Sequence, residues 1–281
     1  MTIDFAATKA RFHLPEGVIY LDGNSLGPMV KSAPARMERV MRDEWAEMLE
    51  KHLRGYEVGI SGWNKAGWVV QPALLGDRIG KLIGAPAGTV VLGDTLSIKV
   101  YQALASALEM NPKRRVILSD TGNFPSDLYM AEGLCRTLGG QYRLKTVAPE
   151  EVMSAIDDSV AVTMITEVDY RTGRRHDMAD ITKRAHEMGA LTVWDLAHSA
   201  GALPVDLTKA KADFAVGCTY KYLNSGPGGP AFIYVAPKHA DTARPALSGW
   251  LGHEAPFAFD LTYRPGAGIA RMRVGTPPIL Q

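Results

Sequence analysis

Short runs of consecutive apolar residues alternate along this chain with longer segments whose apolar positions recur every three or four residues. The strand-like runs are Val90-Val91-Leu92, Arg115–Leu118, Tyr142–Val147, Ala161–Ile165, Leu191–Trp194, Phe214–Val216 and Ala231–Val235. Helical spacing covers Pro72–Ile83, a segment ending near Met110, Ser126–Leu138 and Met178–Met188. Pro34–Lys51 also reads as an amphipathic helix, with Met37, Met41, Trp45 and Met48 on one stripe. Strand–helix–strand order predicts an α/β fold, a mainly parallel sheet with helices on both faces. Ligands of such sheets bind at the carboxyl ends of the strands. No internal repeat or low-complexity segment interrupts the pattern.

Composition narrows the function classes. The 281 residues are 46% hydrophobic, ample for a large core. Lys plus Arg is 31 against 30 acidic residues, so no basic excess points to nucleic acid. The two cysteines, Cys135 and Cys218, form neither a disulfide framework nor a metal pattern, and both are expected to be buried thiols. Met1–Phe5 lacks a basic region followed by an apolar run, and no uncharged apolar stretch reaches about 18 residues. A soluble cytoplasmic protein without membrane or nucleic-acid partners is expected.

Several segments at strand ends could carry chemistry. Gly93-Asp94-Thr95-Leu96-Ser97 joins a strand to a helix, where backbone N–H groups and hydroxyls can cradle a phosphate. Ordinary N-capping explains the same residues. Asn123-Phe124-Pro125-Ser126-Asp127 could stack an aromatic on a planar ring, or could be a Ser126 cap with a Phe124 staple. Asp195 ends an apolar strand in Trp194-Asp195-Leu196-Ala197-His198. An unpaired buried carboxylate is costly there, so a cationic ring nitrogen is a natural partner. Lys221, in Thr219-Tyr220-Lys221 before Ser225-Gly226-Pro227-Gly228-Gly229, leaves an apolar strand and meets a glycine-rich turn. A desolvated lysine is a competent amine nucleophile. A buried amine and a buried carboxylate at neighbouring strand ends suit a pyridoxal phosphate (PLP) site. Neither a P-loop nor a Gly-x-Gly-x-x-Gly fingerprint is present. Trp63 and Trp68 could wall an aromatic substrate pocket or simply pack a core. Ser248–His253 is equally ambiguous.

Taken together, Tyr20–Gly27, Phe124–Asp127, Trp194–His198, Thr219–Gly228 and Thr276-Pro277-Pro278 resemble kynureninase, a PLP enzyme of the aspartate-aminotransferase fold type grouped with class V aminotransferases. The resemblance implies hydrolysis of L-kynurenine, or 3-hydroxykynurenine, to an anthranilate and L-alanine in tryptophan catabolism and NAD biosynthesis. It implies Lys221 as the Schiff-base lysine and Tyr220 as a proton donor. Asp195 is implied on the ring nitrogen, Phe124 on the ring face, and Asp127 and His198 at its polar edge. Leu96, Ser97 and Tyr220 are implied at the phosphate. Pro125, Ser126, Thr166, Trp250 and Thr276 are implied as further cofactor contacts, some across a homodimer interface with shared active sites. No metal is expected.

Two departures stand out. Thr276 occupies a position where many relatives carry asparagine. The chain also stops soon after a turn signal, so the expected division is an N-terminal segment, 1–60, contributing to small-domain and dimer contacts, and a PLP-binding large domain, 61–281. The C-terminal small domain, with its arginine for the substrate carboxylate, is expected to be missing, because Arg271 and Arg273 do not match that position. A cysteine desulfurase or selenocysteine lyase is the enzyme alternative. Those relatives carry histidine before the lysine and glutamine at the position of His198. A truncated, inactive PLP-binding fragment is the non-enzyme alternative.

Overall fold

The computed structural model describes residues 4–47 and 67–281. Among them, seven strands form one sheet in the order β1-β7-β6-β5-β4-β2-β3. The strands are β1 (Val90–Leu92), β2 (Val116–Asp120), β3 (Arg143–Val147), β4 (Val160–Thr166), β5 (Leu191–Asp195), β6 (Phe214–Cys218) and β7 (Ala231–Val235). Neighbours from β3 through β6 are parallel, and β7 is antiparallel to both β6 and β1. The reversal has a local cause. A parallel return needs a crossover, usually helical, and residues 219–230 contain no helix. Every strand except β3, at the edge, is almost wholly buried, which explains why they read as unbroken apolar runs.

The helices are α1 (Phe5–Lys9), α2 (Ala33–Arg39), α3 (Gln71–Leu82), α4 (Leu96–Met110), α5 (Pro125–Thr137), α6 (Val152–Ala155), α7 (Met178–Glu187) and α8 (Leu207–Ala210). They cover both sheet faces, as the pattern predicts. On one face Ile79 of α3, Ile181 of α7 and Leu207 of α8 pack with Trp194 and Phe232. On the other, Leu104 of α4 and Leu134 of α5 pack with Val193, Phe214 and Ile233. Trp194 and Val193 fall on opposite faces because successive strand side chains alternate.

The expected helix over Pro34–Lys51 differs in detail. α2 passes at Val40 into a π-helical stretch, Val40–Ala46, and residues 48–51 lie outside the described residues. The wider π turn breaks the regular spacing. Val40 is its buried residue, while the Met37, Met41 and Trp45 stripe is exposed.

The amino ends of the central strands are locked by charge. Asp213, just before β6, has no exposed surface. It accepts from His186 and His239 at 2.8 Å each, from Lys238 at 2.7 Å and from the Thr192 backbone at 2.9 Å. Burial pushes its carboxyl up, but the His186, His239 and Lys238 hydrogen bonds outweigh that and hold it far below the usual range. A carboxyl depressed in the folded state stabilises above its unfolded pKa, about 3.9, and loses that contribution as pH falls toward the folded value. Asp213→Ala should therefore cost about 3 kcal/mol at neutral pH, with the deficit shrinking below about pH 4. Urea melts of both proteins between neutral and acid pH check this, and a pH-independent deficit would refute it.

Candidate active site

The opposite, carboxyl ends of the strands gather the reactive side chains. A cavity of about 240 Å³ lies there, lined by Thr95, Leu96, Ser97, Phe124, Ser126, Asp195, Ala197, His198, Tyr220, Lys221, Gly228 and Gly229. β1, β2, β5 and β6 each contribute the segment that follows their last residue. A larger cavity, about 420 Å³, lies elsewhere and includes Glu167, Arg175, Asp177 and Asp206. Its carboxylates have structural partners: Arg175 pairs with Glu167 Oε1, leaving Oε2 without a hydrogen bond among the described residues, while Asp177 and Asp206 cap α7 and α8. The smaller cavity instead brings together Lys221 and Asp195, the amine and carboxyl singled out from the sequence.

Lys221 is only 7% exposed. Its Nζ lies 2.6 Å from His198 Nε2 and 5.7 Å from the centre of the Phe124 ring. Burial, with Lys221 adding to it, pulls the His198 pKa down to about 4, so the imidazole is neutral and its Nε2 sits within hydrogen-bond reach of the amine. The Lys221 loop is held from behind by the N-terminal Tyr20–Gly27 motif. Gly27 N–H donates to Tyr220 O at 2.8 Å. A Cβ on Gly27 would sit 2.1 Å from Lys221 O, so only glycine permits this approach.

Asp195 is also buried, and its Oδ1 accepts from Ala197 N–H at 2.9 Å. Its Oδ2 has only a long contact, 3.5 Å, from Thr166 Oγ1. Burial pushes the Asp195 pKa up to about 6 against the opposing pull of the Ala197 hydrogen bond, Lys221 and Thr166. Asp127, in the first turn of α5, is buried with neither carboxylate oxygen hydrogen-bonded among the described residues. Burial and then the Asp195 charge hold it well above the usual carboxylate range, with Lys221 opposing. Tyr220 is pushed up to about 12 by burial, with Cys218 and Asp195 adding. Its phenol stays protonated.

The α4 end of the cavity suits an anion. Thr95 is the N-cap residue of α4 and makes no side-chain cap bond, so ordinary capping does not account for the motif. The first-turn N–H groups and Ser97 remain for a ligand. At α5, Phe124 rather than Ser126 is the cap residue, Pro125 follows at N1, and again no side chain caps the helix. Ser126 lines the cavity instead.

Not every expected residue is brought here. Trp63 lies outside the described residues. Trp68 lines a different, apolar cavity with Val40, Trp45 and residues 278–281, and its Nε1 donates to Glu44 at 2.9 Å. Trp250 and Thr276 sit on neighbouring segments, both exposed, and do not line this cavity. Arg271 is buried against Gly266, Asp241 and Ala243 carbonyls, and Arg273 donates to Val69 O. Tyr170 was not singled out from sequence. Its ring meets Phe124 edge-on at 5.2 Å and His198 at 6.0 Å. Its only sequence signal is an aromatic a few residues past β4.

The class-V aminotransferase profile matches residues 77–281. The chain belongs to the class-V aminotransferase family. The fold is that of solved class-V-type structures. The cysteine desulfurase of Thermococcus onnurineus NA1 superposes with a TM-score of 0.77 at 22% identity, covering 100% of this chain and 68% of that one. A C-DES mutant with glycine covalently linked to its PLP cofactor superposes with a TM-score of 0.71 at 14% identity, covering 93% and 68%. In sequence, the class-V chain is 50% identical to the kynureninase of Burkholderia pseudomallei (strain 1106a) over 280 residues. That match takes in 98% of this chain, which spans 65% of that relative's length.

Proposed function

We propose that this protein is a PLP enzyme that hydrolyses L-kynurenine, or its 3-hydroxy form, to the corresponding anthranilate and L-alanine. The observation that carries the reading is the shared cavity. A buried amine, Lys221, and a buried carboxyl, Asp195, line it together with the first residues of a helix lacking a side-chain cap, and the buried Asp127 carboxyl behind Ser126 feels the charge of both. These residues fit the cofactor. Asp195 Oδ2 is short of partners and would pair with a protonated ring nitrogen, which would favour its ionised form. Asp127 and His198 would meet the ring's polar edge. Phe124 would cover a face, and Leu96, Ser97 and Tyr220 would hold the phosphate.

When bound, PLP supplies an aldehyde that condenses with an amine and an electron sink for carbanion chemistry. The chain's residues supply the rest. Lys221 Nζ would anchor the group and, as a free amine, could hold or deliver the substrate Cα proton. Neutral His198 accepts from that amine and keeps it aimed into the cavity. Tyr220, protonated across the neutral range, can give a proton to a leaving carbon. Phe124, with Tyr170 edge-on against it, offers an aromatic wall.

A desulfurase reading has less support. Tyr220, not histidine, precedes the lysine, and His198 stands in place of glutamine. Both cysteines are buried. Burial pushes Cys218 up to about 11 and raises Cys135 as well, so neither is the reactive thiolate that sulfur transfer needs.

The domain division at residue 60, a cytoplasmic location and a homodimer belong to the same proposal. Exposed Ile19, Leu21, Phe259 and Leu261, at 86%, 85%, 74% and 102%, favour a second copy covering them. Among the described residues, no helix is long and apolar enough to cross a membrane. Incubation with kynurenine and cysteine side by side tests the function. Anthranilate from kynurenine is expected, and alanine or sulfide formed only from cysteine would overturn it.

A further inference from the structure

Lys99 is a lysine with no exposed surface, in the first turn of α4. A cation there opposes the helix dipole, and its burial is costly as well. Burial does pull its pKa down, with Asp94 pushing back. The amine is nonetheless fully engaged. Nζ donates to Asp94 Oδ2, to Gln102 Oε1 and to Met272 O, each at 2.9 Å.

Each of those contacts leads to the cavity or its surroundings. Asp94 adopts φ +56°, a left-handed conformation that a non-glycine residue takes only when its surroundings impose it. It immediately precedes Thr95, Leu96 and Ser97, which line the cavity. The turn is also pinned to the β7 entrance, where Gly93 N–H donates to Ala231 O and Ala231 N–H to Asp94 O. On the other side, Gln102 Nε2 reaches Met272 O at 3.4 Å and Leu247 O at 3.5 Å. Met272 and Leu247 lie on the segments that carry Thr276 and Trp250, and Leu251 N–H to Val274 O joins those segments. Lys99 is thus the node between the α4 amino end and both segments.

We propose that Lys99 is a positioning residue for the cofactor phosphate: through Asp94 it fixes the Gly93–Ser97 backbone that receives the anion, and through Met272 it ties that backbone to the Trp250 and Thr276 segments. The assignment rests on the PLP reading above and deepens it. Lys99 does not touch the phosphate. Its charge is matched by Asp94, and its effect is on where the N–H groups of α4 point.

Pyridoxal, which lacks the phosphate, separates positioning from general loss of structure. PLP and pyridoxal are titrated against wild type, Lys99→Met and Asp94→Asn, with a thermal melt of each. Lys99→Met should weaken PLP binding by about 10–100-fold, the size expected for loss of a charge-assisted hydrogen bond. Pyridoxal binding should be unchanged. Asp94→Asn should shift in the same direction, and it decides the matter alone if Lys99→Met does not fold. Equal losses for the two ligands, or no loss for either, would overturn the role of Lys99. Wild type that binds no PLP would instead remove the cofactor reading, so the two failures are distinct.

Discussion

Lys221→Ala should lose the absorbance near about 400 nm that a PLP Schiff base gives, and kynurenine turnover should fall by about 10⁴-fold, the upper range for a positioned acid–base group. The chain should still hold PLP without the covalent bond, because the α4 amino end, Asp195 and Phe124 do not depend on the amine for their own positions. Asp195 is fixed by Ala197 N–H and by its place at the end of β5, and Phe124 by its place at the start of α5. The substitution also removes the cation that opposes the raised pKa of both Asp127 and Asp195. Both carboxyls should therefore titrate higher still in the variant, which NMR of labelled aspartates can follow. An unchanged visible band in Lys221→Ala would eliminate Lys221 as the anchor. Melting curves distinguish loss of the anchor from simple unfolding.

The sheet and its helices were legible because buried parallel strands leave unbroken apolar runs and the helices carry clear spacing. The stripe of Met37, Met41 and Trp45 lies exposed, since periodicity reports an apolar face and not what covers it. Lys221 and Asp195 were legible because a charged residue at the end of an apolar strand has few places to go. The capping alternatives for Thr95 and Ser126 could be dismissed only with coordinates, because a hydroxyl near a helix start has the same sequence signature whether it caps or not. Lys99 left no usable signal. A lysine among Leu96, Ile98 and Val100 in a helix normally extends to solvent, and its partner Met272 is remote in sequence. Tyr170 was missed for the same reason: its ring contacts come from β2 and β5 ends that meet only in the folded sheet.

The cavity also carries a stability cost that a single substitution should expose. Two buried carboxyls lie within electrostatic reach of one amine, and the Asp127 oxygens have no hydrogen-bond partner among the described residues. For a carboxyl whose folded pKa is raised, the unfolded chain loses its proton first. Stability then falls as pH climbs from the unfolded value, about 4, to the folded one, and stays lower above it. For Asp195, the rise from 3.8 to about 6 corresponds to about 3 kcal/mol at neutral pH. Asp127 adds to this in the same direction. Asp127→Asn replaces a buried carboxyl, whose ionisation favours the unfolded chain, with an amide of the same shape that does not titrate. The cofactor-free variant should therefore melt higher than wild type by several degrees, corresponding to about 1–2 kcal/mol, with the gap widening between about pH 4 and 7. PLP affinity should fall in the same protein, because the polar edge of the ring would meet an amide in place of a carboxyl. A variant that is both more stable and a weaker binder is the signature of a group kept for its ligand. Equal melting of the two proteins at every pH would show that Asp127 carries no such cost, and that the buried carboxyl finds its compensation within the chain itself.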